Sequence, residues 1–141
     1  MATPQEPESN PASRKCVLIV EDNALNMKLF SAMIGSQGYD VLQAENGRGA
    51  LDMARQRHPD LIIMDLQLPD MSGLDVTHIL KAAADTHEIP IIATTAYAMR
   101  TNDAAIRDSG CDAYMAKPIA ISEFLELVEA LIMRATSPEL V

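Results

Sequence analysis

The stretch Leu61-Ile62-Ile63-Met64-Asp65-Leu66-Gln67-Leu68-Pro69-Asp70-Met71-Ser72-Gly73 decides the fold. Leu61 to Met64 form an unbroken apolar run, which reads as a strand buried on both faces, the habit of parallel sheets covered by helices. The run stops at an acid, Asp65, and the loop Gln67 to Gly73 leads into a helix expected to run to about Ala84. In open α/β sheets, ligands bind beyond the carboxyl ends of such strands, which is where Asp65 falls.

The same unit recurs on either side. Cys16 to Val20 is a second apolar run, followed by Glu21-Asp22-Asn23 and a helix to Gln37 with Leu25, Leu29, Phe30, Met33 and Ile34 at helical spacing. Gly38 stops that helix. Asp40 to Ala44 mixes polar and apolar residues as an edge strand does, and a helix over Gly47 to Arg57 is ended by Pro59. Downstream, Ile91 to Thr95 reads as strand four, Ala98 to Ser109 as helix four closed by Gly110, and Asp112 to Ala116 as strand five. The last helix, Ser122 to Arg134, is expected to be capped by Ser122 and to bury Phe124, Leu125, Val128, Leu131 and Ile132. Five strands alternating with five helices give a doubly wound α/β fold around one parallel sheet.

At 141 residues the chain suits one domain with a real apolar core. A formal charge of -9 and a pI near 4.6 oppose binding to a phosphate backbone, so nucleic acid is not an expected partner. No apolar stretch approaches the roughly 20 residues of a spanning helix, which argues against membrane insertion. Residues 1–14, with Pro4, Pro7 and Pro11, read as a disordered tail, and 136–141 as a short C-terminal one, leaving 15–135 as the domain of a soluble cytoplasmic protein. Cys16 and Cys111 match neither a disulfide framework nor a metal-ligand spacing.

The strand ends carry the chemistry. Glu21 and Asp22 follow strand one, Asp65 ends strand three, Thr95 ends strand four, and Lys117 follows strand five. Singly, each has an ordinary role as a cap, a turn residue, a β-former or a solvated charge. Jointly they bring three carboxylates together, at about 5 Å and with a repulsion of roughly 3 kcal/mol per pair at an effective dielectric near 20. Hard oxygen ligands in an open crevice suit Mg2+, and the lack of His or Cys disfavours zinc. A carboxylate, a lysine, a hydroxyl and a divalent ion fit phosphoryl transfer, with Asp65 as nucleophile forming an acyl phosphate.

VLIVEDN (17–23), LIIMDLQLPDMSGL (61–74), TTAYAM (94–99) and YMAKPI (114–119) resemble the four signatures of response-regulator receiver domains, over about residues 15–135. More narrowly, the chain is similar to single-domain regulators of cell division. The resemblance implies a flavodoxin-like (βα)5 fold with strand order 2-1-3-4-5 and a phosphoacceptor at Asp65. It implies Mg2+ held by Asp22, Asp65, the Gln67 carbonyl and, through water, Glu21, which stands where an aspartate is commoner. It makes Thr95 and Tyr114 a switch pair, has Lys117 follow the phosphoryl oxygens, and implies a cis bond before Pro118. Gln67 and Tyr97, two residues beyond Asp65 and Thr95, would flank the water path to the acyl phosphate, and the Tyr97 ring would slow autodephosphorylation.

Such a protein is a phosphoacceptor rather than an enzyme turning over a substrate. Its expected donors are sensor histidine kinases or a histidine phosphotransferase, docking on the first helix at Asn26, Met27 and Phe30. Its targets would read the face of helix four, strand five and helix five, with Met99, Arg100, Arg107 and Tyr114. The chain ends soon after the last helix, so output through protein contacts is expected, with recruitment to cell poles by membrane-bound kinases. Two rivals stand beside this reading. One is a pseudo-receiver that only binds; the other is a phosphatase with an aspartyl nucleophile, whose Asp-x-Asp motif at the first strand is absent here.

Overall fold

The computed structural model describes residues 14–96 and 103–136. Its strands are β1 (Cys16–Val20), β2 (Asp40–Ala44), β3 (Leu61–Asp65), β4 (Ile91–Thr95) and β5 (Ala113–Ala116). They alternate with α1 (Ala24–Gly35), α2 (Gly47–Arg57), α3 (Gly73–Ala82), α4 (Asp103–Asp108) and α5 (Ile121–Thr136). All strands are parallel in the order β2-β1-β3-β4-β5, so the strand order reverses between β1 and β3. That reversal opens a crevice at the carboxyl edge, into which β1 and β3 lead.

Alternate side chains of each central strand feed opposite layers. Val17, Ile19, Leu61, Ile63 and Ile92 pack on Phe30 and Ile34 of α1 and on Phe124, Val128 and Ile132 of α5, while Leu18, Val20, Ile62 and Met64 pack on Ala50 and Ala54 of α2 and Val76 and Leu80 of α3. The rings of Phe30 and Phe124 meet at 5.4 Å between centroids, tilted by 55°, which locks α1 to α5. Burial on both faces explains the continuous apolar runs Cys16 to Val20, Leu61 to Met64 and Ile91 to Ala93 within these strands.

Asn23, Asn46 and Ser72 cap α1, α2 and α3, each accepting a backbone N–H in the first turn. Gly38 and Gly110 take φ of 89° and 93°, the left-handed geometry that ends the preceding segment. His58 adopts it too, at φ 47°, where the sequence pointed only to Pro59 as the stop for α2.

Several expected boundaries shift, among them the ends of α4, at Asp108 rather than Ser109, and of α5, at Thr136 rather than Arg134. Helix α1 ends at Gly35 and α3 at Ala82, where the buried hydroxyl of Thr86 turns back to the Leu80 carbonyl at 2.7 Å and closes the helix end. Strand β5 begins at Ala113; Asp112, just before it, accepts the Ile91 N–H on its side chain at 2.8 Å and donates its own N–H to the Ile91 carbonyl at 2.9 Å. Helix α5 starts at Ile121, with the Phe124 N–H on the Ala120 carbonyl, so Ser122 lies inside the first turn rather than capping it. Arg14, assigned to the tail, is tied to Asp40 by an exposed ion pair at 2.9 Å. The tail over 1–13, Tyr97, Met99, Arg100 and residues 137–141 lie outside the described residues, as does the first part of the expected helix four.

Helix α1 also turns a different face inward. Met27, Phe30 and Ile34 are buried, whereas Leu25 and Leu29 are 64% and 54% exposed. Met27 and Phe30 therefore belong mainly to the core, although Phe30 still lines the surface groove beside Asn26 and Leu29.

Candidate acceptor site

β1 and β3 are neighbours, so their ends bring Glu21 and Asp22 beside Asp65. Oxygens of the three carboxylates lie within 4.8 Å of one another, close to the spacing expected from the sequence. Glu21 and Asp65 are buried, at 2% and 3% exposure, while Asp22 faces solvent. Buried like charges at this distance need a counter-charge.

Lys117 supplies it from the end of β5. Its Nζ donates to Glu21 Oε1 at 3.0 Å and to Asp65 Oδ2 at 3.4 Å, so the shorter contact is to Glu21 rather than to the expected Asp65. The Lys117 N–H is held by the Thr95 carbonyl at 2.8 Å, which continues the β4–β5 ladder into the site, and the Lys117–Pro118 bond is cis, as the resemblance implied. The second Glu21 oxygen, Oε2, accepts the Asn23 N–H at 3.2 Å, and Asp65 Oδ1 accepts the Gln67 N–H at 3.0 Å. Both buried carboxylates are thus fixed by a backbone amide two residues on.

These contacts do not fully offset desolvation. Burial, with the neighbouring charge of Glu21, pushes the Asp65 carboxyl up from 3.8 to about 6 against the opposing pull of the Gln67 N–H and Lys117. Lys117→Met removes one of the two groups that favour the anion. The Asp65 titration midpoint is expected to move above about 6, followed by carbon NMR of its carboxyl group; an unchanged midpoint would mean that the Lys117 charge does not reach Asp65.

Thr95 is 2% exposed at the end of β4, and Tyr114 is 40% exposed on β5. Ala93 pairs with Tyr114 and Thr95 with Ala116, so with a two-residue period Thr95 and Tyr114 stand on one face of the sheet, the face that Ile106 of α4 covers through Ala93. Gln67 is exposed just past Asp65 and forms an isolated bridge with Ser72. Beside Lys117, a groove of about 250 Å³ is lined by Asn26, Leu29, Phe30 and Met33 of α1 and by Pro118, Ile119 and Ile121.

Asp70 received no role from the sequence. Its carboxylate accepts the N–H groups of Gly47 and Arg48, at 2.7 and 3.0 Å, and so joins the loop after Asp65 to the start of α2. The partners are 22 and 23 residues apart, and no local pattern announces them.

Comparison with known proteins agrees with this geometry. The model of the response regulator receiver domain matches residues 17–129. The polar-differentiation response regulator DivK of Brucella ovis is 50% identical over 116 residues, covering 82% of this chain and 94% of the relative. A CheY-like receiver from Methanospirillum hungatei superposes with a TM-score of 0.83 at 25% identity, over 89% of this chain and 99% of its own. The receiver domain of the sensor histidine kinase PA1611 from Pseudomonas aeruginosa, whose crystal structure has a magnesium ion coordinated in the active-site cleft, does so at 0.80 with 32% identity, over 85% and 98%. On this match of family, sequence and fold, the chain belongs to the response regulator receiver family.

Proposed function

We propose that this chain is a response regulator that accepts a phosphoryl group on Asp65 from the phosphohistidine of a sensor kinase or phosphotransferase and signals through contacts with other proteins. Receivers of this family are signalling modules of two-component systems. The observation that carries the reading is a buried carboxylate at the end of the central strand, with two further acids within 4.8 Å and a lysine in contact. The named similarity to DivK supports a place in polar differentiation and cell-division control, with recruitment to a cell pole.

In the reaction, an Asp65 oxygen attacks phosphorus as the P–N bond to the donor imidazole breaks; the imidazole leaves with the bonding pair and takes up a proton. The Gln67 N–H holds the carboxylate in one orientation. The Lys117 ammonium moves from the Glu21 and Asp65 oxygens to a phosphoryl oxygen, and the Thr95 hydroxyl donates to another. An all-carboxylate donor set, one member exposed and none of it His or Cys, suits Mg2+, held by Asp22, Asp65, the Gln67 carbonyl and, through water, Glu21; it would neutralise charge on the phosphoryl oxygens. Following the new oxygens, Thr95 draws inward and Tyr114 turns into the space it leaves, which alters the face of α4, β5 and α5. The groove between α1 and the start of α5 offers the phosphodonor an apolar seat next to Lys117.

Incubation with acetyl phosphate and Mg2+ is expected to add the mass of one phosphoryl group to the intact protein, and Asp65→Asn to abolish the gain. No gain in the wild-type protein would favour a receiver that only binds.

A further inference from the structure

The loop after the acceptor is closed at its base and anchored at its tip. At the base, the Gly73 N–H reaches the Leu66 carbonyl at 3.0 Å, and Gln67 bridges to Ser72. At the tip, Asp70 takes both the Gly47 and the Arg48 N–H, which no carbonyl inside α2 can accept. Helix α2 already has its own cap, Asn46, on the Gly49 N–H at 2.7 Å. The chelating aspartate therefore holds the loop to the helix, and α2 itself is held to the sheet by Ala50 and Ala54. Met71, the next residue, packs against the same layer and fills the space a side chain at Gly47 would need.

We propose that Asp70 is a positioning residue for the acceptor, clamping the loop that carries Gln67 to α2 so that the Gln67 N–H stays on the Asp65 carboxylate and its carbonyl stays at the metal side. The inference rests on the phosphoacceptor reading of Asp65. Freed of the clamp, the loop keeps its base but gains freedom at its tip, and the Gln67 amide is the group through which that freedom reaches Asp65.

Three variants of the full chain separate this from simple loss of a helix cap. In Asp70→Ala, without metal, amide hydrogen exchange at Gln67 is expected to quicken about tenfold, and the Mg2+ concentration that half-saturates phosphoryl uptake from acetyl phosphate to rise by a similar factor. Asp70→Asn, which retains one acceptor oxygen, should recover part of both. Asn46→Ala weakens the same helix end without touching the loop, so its Tm falls while both readouts stay at wild-type values. Wild-type exchange at Gln67 in Asp70→Ala, or an equal shift in Asn46→Ala, would overturn the proposal. Failure of the wild-type protein to take up a phosphoryl group would count against Asp65 as acceptor, and the exchange measurement would still decide the clamp.

Discussion

Gly73→Ala is expected to destabilise the domain by about 3 kcal/mol and to cut phosphoryl uptake sharply, although alanine is the better helix former. Gly73 opens α3 directly under the end of β3. A Cβ there would overlap the backbone carbonyl oxygen of Asp65 and stand 2.7 Å from Leu66 Cα. Backbone at the end of a central strand cannot step aside as a flexible side chain does. Helix propensity returns at most about 1 kcal/mol, and less in the first turn, so overlap decides the sign. Relief requires β3 and α3 to separate, which moves Asp65 away from Glu21 and Lys117. Gly35→Ala is the control, because no atom lies within 4 Å of its added Cβ; it should be neutral or stabilising by up to about 1 kcal/mol. Urea unfolding of the two variants checks the contrast, and a Gly73→Ala protein as stable as wild type would refute the close-approach argument.

Much of this arrangement was legible in the sequence because parallel strands buried on both faces leave continuous apolar runs. β1, β3 and β4 begin where those runs do and end with them or within two residues of them, and Glu21, Asp65 and Thr95 fall at the strand ends as a consequence. Helix α1 was less legible. Leu25, Met27, Leu29, Phe30, Met33 and Ile34 surround much of its circumference, so spacing alone could not tell that Met27 would be buried and Leu29 exposed; packing against Phe124, 94 positions later, decides it. The Glu21–Lys117 pair spans 96 positions and exists only once β5 has docked beside β4. Asp70 was hidden for the same reason, since its partners belong to a helix that precedes it in the chain. Local pattern fixes where polar groups leave the sheet, and tertiary contact fixes which of them meet.

Asp65→Asn should raise stability at neutral pH while removing the proposed phosphoryl acceptor. The folded protein holds the Asp65 carboxyl at about 6, above the 3.8 of an unperturbed chain, so between these values the unfolded state has lost its proton and the folded state has not. Stability therefore falls as pH rises from about 4 to about 6 and stays low above that, the reverse of an aspartate held by a salt bridge. A shift of this size corresponds to about 3 kcal/mol at most, and because Glu21 shares the burial and the Lys117 contact, about 1–3 kcal/mol is the expected gain of the asparagine variant near pH 7. The gain should shrink towards zero near pH 4, where wild-type Asp65 is itself largely neutral. Thermal melts at the two pH values give the comparison, with Tm about 3–10 °C higher in the variant near neutrality. Adding Mg2+ should narrow the gap, since an ion binds the anionic cluster of the wild-type protein better than the variant's. A variant less stable than wild type near pH 7 would show that the Asp65 charge is well compensated in the folded protein. The predicted instability and the proposed reactivity have one cause: a carboxylate kept out of water with incomplete charge compensation gains from a ligand that brings cation and phosphoryl group together.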